Sequence, residues 1–76
     1  MLYEAAVQAA IAANIPRLVI SALGHYAREE MQFGVDGARR ILQRGQKYRQ
    51  SLSPWESELM ALIFKSDPVL LALWAQ

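Results

Sequence analysis

Four interruptions decide what this chain can fold into: Asn14-Ile15-Pro16, Gly34-Val35-Asp36-Gly37, Ser53-Pro54 and Asp67-Pro68. Proline disfavours the α conformation at the residue before it and suits the first turn of a helix. Ile15-Pro16, Ser53-Pro54 and Asp67-Pro68 therefore each end one helix and start another. Ser53 and Asp67 are good N-cap residues, and Glu56, three residues after Ser53, completes a capping box. Gly34 suits a left-handed C-terminal cap, and Asp36 is placed to cap the next helix. No run alternates polar and apolar residues as a strand would, and no segment repeats another. The breaks predict helices over about 2–14, 16–33, 37–50, 54–65 and 68–75. The fold class is all-α, a compact bundle of four to five short helices in one domain spanning 1–76.

Projecting these segments at 100° per residue predicts what each can bury. The first has one narrow polar stripe, Glu4 and Gln8, opposite Ala5, Ala9, Ala12 and Ala13. The second gathers Val19, Ala22, Leu23, Tyr26, Ala27 and Phe33 on one side, and Arg17, Ser21, His25, Arg28 and Gln32 on the other. The third turns Ala38, Ile41, Leu42, Gly45 and Leu52 inward. The fourth is apolar over half its circumference through Trp55, Leu59, Met60, Leu62, Ile63 and Phe64. The last, PVLLALWA, has no polar side, and such a helix has to be enclosed.

Enclosure is the difficulty for so short a chain. Counting glycine but not tyrosine, 42 of 76 residues are apolar, about 55% against a usual 45–50%. A domain of this size buries only about 60% of the surface its unfolded chain exposes. There is no cysteine to staple it. The surplus predicts association, with a homodimer favoured and a foreign protein partner as the other option. The expected association surface is the alanine face, Ala5, Ala9 and Ala13, together with Leu70, Leu73 and Trp74 of the last helix. No segment approaches the roughly 20 apolar residues of a membrane span. The N-terminal stretch carries Glu4 and no basic region, unlike a signal peptide, so the expectation is a cytoplasmic protein.

Catalytic chemistry has little to build on. His25 is the only histidine, and Glu29 stands one turn beyond it. Two ligands fall short of the three a zinc site takes from the protein. There is no phosphate-cradling glycine loop and no nucleophile elbow. The expectation is a non-enzymatic protein without a cofactor.

Charge is unevenly placed. Residues 36–50 carry five of the eight basic residues and one carboxylate, while the other 61 residues have a net charge of −3. Arg39, Arg40, Gln43, Arg44 and Lys47 are expected to form an outer basic face. The glycine-containing turn before this helix resembles that of a helix-turn-helix, whose second helix reads bases with Arg and Gln near its start. Against this, Glu30 occupies the place, four residues before Gly34, where such motifs want a small residue. Glu29 and Glu30 would also repel phosphate. Glu30 and Arg49 each project into an apolar side, which makes them candidate partners across a hairpin. The sequence thus points to a protein-interaction or regulatory module, self-associating, with a basic face for a charged partner. The alternative is a small DNA- or RNA-binding protein using helix 37–50.

Overall fold

The computed structural model describes residues 2–75. Helix α1 (Leu2–Ala13) is followed by α2 (Pro16–Glu30), a single 3₁₀ turn (Met31–Phe33), α3 (Val35–Gln43), α4 (Gln46–Arg49), α5 (Pro54–Phe64) and α6 (Pro68–Trp74). There is no strand among the described residues, so the all-α bundle expected from the sequence is the fold. Helix α2 lies at its centre and packs against all five other helices. The fully buried side chains come from across the chain: Val7, Val19, Ile20, Leu23, Leu42, Phe64 and Leu70.

The local signals act as their chemistry requires. Asn14 takes a positive φ of 57° beyond the end of α1, a conformation asparagine tolerates better than most residues. Pro16 then opens α2 behind an extended Ile15. The Ser53 hydroxyl accepts from Glu56 N–H at 3.4 Å, while Ser53 N–H donates to the Glu56 carboxylate at 3.0 Å. One oxygen of Asp67 accepts from the Val69 and Leu70 amides at 3.1 and 3.2 Å. Each cap satisfies backbone donors that the first turn of a helix leaves open.

Three expectations about the middle of the chain are corrected. Helix 16–33 ends as an α-helix at Glu30, and the 3₁₀ turn swings Phe33 outward to 77% exposure, away from the apolar side predicted for it. Gly34 adopts φ 127° and ψ 164°, a conformation open essentially to glycine alone. The next helix therefore starts at Val35, and Asp36 lies inside its first turn instead of capping it. Finally, the single helix expected over 37–50 is two. The ladder tightens where Arg44 and Gly45 donate to Ile41 and Leu42 at 3.1 and 3.0 Å. Gly45 is buried there, and a Cβ would stand 3.3 Å from Leu23 and 3.7 Å from Trp74. A methyl there would press on Leu23 and lie in ordinary contact with Trp74.

One side of the C-terminal helix is buried without a second chain, while Val69 and Ala72 on the other stay exposed. Trp74 stacks on Phe64 with centroids 5.0 Å apart, and Leu70, Leu73 and Trp74 are all buried. Arg49 seals the end: its guanidinium lies 4.3 Å over the Trp74 ring and donates to the Trp74 carbonyl at 2.6 Å. The Glu30–Arg49 pairing is thereby corrected, because Arg49 is held by Trp74 and Glu30 lies against Gly37. Opposite, Gly24 lets α5 press onto α2, where a Cβ would meet the Phe64 ring at 2.7 Å. The accessible surface is 4754 Å² and the radius of gyration 11.4 Å. Both are about what a self-contained chain of this mass shows.

Candidate functional site

The five residues expected on the basic face do not stand as five free cations. Arg44 reaches from the end of α3 to α1 and makes a two-pronged pair with Glu4, at 2.9 and 2.8 Å. Gln8 donates to the same carboxylate at 3.1 Å. The Arg44 guanidinium, and after it the Gln8 amide, hold the Glu4 carboxyl down to about 2. The same hydrogen bond raises Arg44 further above its ordinary value. Arg39 pairs within its own helix with Asp36 at 3.0 Å. Arg40, Gln43 and Lys47 are exposed. Beside Arg44 is a hollow of about 470 Å³ lined by residues of α1, α2, the end of α3 and α4. Val7 and Val19 in its lining are completely buried, and Ile11 supplies exposed apolar surface.

The expected association surface also divides. Ala5, Ala9 and Ala13 are exposed on the outer side of α1, where Ala9 and Ala13 border an apolar groove with Leu18 of α2. Leu70, Leu73 and Trp74 belong to the core instead. Leu70 and Leu73 offer a partner almost nothing to touch, and Trp74, though buried, lines a hollow with Arg49, Leu52 and Leu71.

A surface the sequence reading passed over takes their place. On α5, Trp55, Leu59 and Leu62 are 60, 40 and 61% exposed. Their spacing of i, i+4 and i+7 puts them within about 60° of one another on a helix. Met60 and Phe64, the buried residues of α5, point the opposite way. The helix thus has two apolar faces, and the bundle uses one. The signal lay in the projection: apolar residues spread too widely around 54–65 for a single contact with a core. Glu58 and Lys65 lie along one flank of the exposed stripe, Glu58 beside its middle and Lys65 just beyond its C-terminal end, and both are exposed.

Other features are simpler. His25 is exposed. Among the described residues no three of His, Cys, Asp or Glu come together as metal ligands would. No helix of the described chain is long and apolar enough to cross a membrane. Comparison with protein-family models, curated proteins and solved structures found no match for this chain.

Proposed function

We propose that this protein is a non-enzymatic interaction module that self-associates through the outer face of α5. The observation that carries the reading is the exposed Trp55-Leu59-Leu62 stripe on a helix whose other face is fully engaged in the core. Fully burying one such side chain is worth about 1.5–3 kcal/mol. Each of these three still has a large part of that gain to make.

A second copy is the occupant the charges favour. In an antiparallel pairing of two α5 helices about a two-fold axis near Leu62, Glu58 approaches Lys65 of the partner, and the reverse. Two-fold symmetry makes this contact twice, with the same patch on both sides, as isologous interfaces require. That register sets Leu62 beside its own copy, with Leu59 and Trp55 outward from the axis. The ion pairs, exposed at the rim, set alignment more than affinity. With so small an apolar centre, a dissociation constant in the range of about 1–100 μM follows once the entropy of association is charged against it.

The basic face stays outward in such a dimer and can meet an acidic partner through Arg40 and Lys47. As a nucleic-acid surface it is weaker than the sequence implied, because Arg44 is tied to Glu4 and Arg39 to Asp36. Light scattering from 5 to 500 μM tests the main reading. A concentration-dependent dimer that Leu59→Glu abolishes supports it, and a monomer throughout contradicts it. Duplex DNA or RNA binding with a log–log salt slope near −4, matching four or five phosphate contacts, would return the nucleic-acid alternative.

A further inference from the structure

The start of α1 meets the C-terminal half of α2. Tyr3 and Tyr26 stack there with planes within 6° and centroids 5.9 Å apart. A separation that wide between parallel rings is a slipped stack, which leaves part of each face uncovered. Phe33, turned outward by the 3₁₀ turn, supplies a third ring, and the strongly exposed Leu2 closes the side. Together with Glu29 and Glu30 they line a hollow of about 290 Å³. Neither carboxylate has a hydrogen-bond or ion-pair partner among the described residues. Arg40 lines an adjoining depression together with Glu30 and Phe33.

We propose that this hollow binds a weakly hydrated organic cation: an alkylammonium group carried by a small molecule, or by a methylated lysine of a peptide. Three features converge on that chemistry. Aromatic faces attract cations electrostatically, and quaternary ammonium groups are the usual guests of aromatic cages. The two unpaired carboxylates supply the opposite charge. The apolar lining disfavours a metal ion or bare ammonium, which would have to shed tightly held water. A volume at the lower end of the usual 300–1,000 Å³ for ligand sites, roughly, suits a headgroup more than a large molecule. Burying Phe33 and Leu2 under such a guest would also cover two of the most exposed apolar side chains of the chain.

The site lies apart from the α5 stripe, so its test does not depend on the oligomeric state. The full chain is titrated at constant ionic strength with choline, with a trimethyllysine peptide and with 3,3-dimethylbutanol, the uncharged isostere of choline. The readout is the ring resonances of Tyr3, Tyr26 and Phe33. A saturable shift with choline or the peptide, at least about fivefold tighter than with the isostere, is expected from the ring and carboxylate terms together. Whichever of the two binds more tightly identifies the source. Phe33→Ala and Glu29→Gln should each weaken binding about threefold or more; both side chains are exposed, so folding is kept. No shift with either cation, or equal binding of the isostere, overturns the proposal.

Discussion

Helices α1 and α5 both lie against α2, and both leave an apolar strip in solvent. On α1 the strip is alanine methyl groups with a single leucine, Leu2, at its N-terminal end; on α5 it is an indole and two isobutyl groups. The sequence reading favoured α1, because small residues let another backbone come close. Close approach helps only when something large fills the space beyond, and α1 faces no such neighbour. The α5 strip presents side chains whose burial is worth about 1.5–3 kcal/mol each, whereas a methyl is worth about 0.8. An apolar strip matters for association by what remains exposed after folding, and that quantity is set by the tertiary arrangement.

The comparison can be broken from either side of α5. Phe64→Ala strikes its inner face, and a fully buried Phe replaced by Ala costs about 3–5 kcal/mol. A chain this small holds about 4–11 kcal/mol in all. Chemical denaturation should show most of its stability gone, at any protein concentration. Leu62→Glu strikes the outer face. The monomer should keep its denaturation midpoint to within about 0.5 kcal/mol, while sedimentation shows dimer affinity reduced by about 30-fold or more, as for a central interface residue. If Leu62→Glu unfolds the chain instead, its stripe is part of the core and the account fails.

The attachment of α1 rests partly on Glu4 and Arg44, and that part depends on acid. The Glu4 carboxyl is depressed from 4.5 to about 2, chiefly by the Arg44 hydrogen bond. A depressed carboxyl stabilises the fold fully above its ordinary value, and that contribution is lost as pH falls from 4.5 toward 2. Glu56, held down first by the Ser53 backbone amide and then by its hydroxyl, adds to the same acid limb. Thermal melts between pH 6 and pH 2 should therefore show a falling midpoint, and Glu4→Gln should flatten part of that fall. Smallest of all is the expected effect of Ala9→Leu. It enlarges the α1 strip in solvent, so stability should stay within about 0.5 kcal/mol and the sedimentation profile should not move.

What the sequence made legible was local. Ser53 with Glu56, and Asp67 before Pro68, mark helix starts through bonds spanning two or three residues, and both caps stand where those residues predict. The inward row Ala38, Ile41 and Leu42 was equally plain, because a strongly two-sided helix has only one way to face a core. Contacts between distant elements were not legible. Nothing near Arg44 in the chain indicates that Glu4, forty residues earlier, holds it. Nor does PVLLALWA reveal that Phe64 and Arg49 close over Trp74. The break at Gly45 could be read as a weak helix position, but its close approach to Leu23 could not. The second face of α5 was visible in the projection, yet which face would be spent on the core depended on Gly24 opening space for Phe64.

The most direct test uses the absence of native cysteine, which makes single-thiol variants unambiguous. Leu62→Cys and Ala9→Cys place one thiol on each strip, and mild oxidation at about 50 μM then reports which strips meet. The account predicts a rapidly formed disulfide dimer for Leu62→Cys, where the residue lies beside its own copy, and slow, incomplete coupling for Ala9→Cys. Rapid coupling through Ala9→Cys with none through Leu62→Cys would contradict it and place the interface on α1.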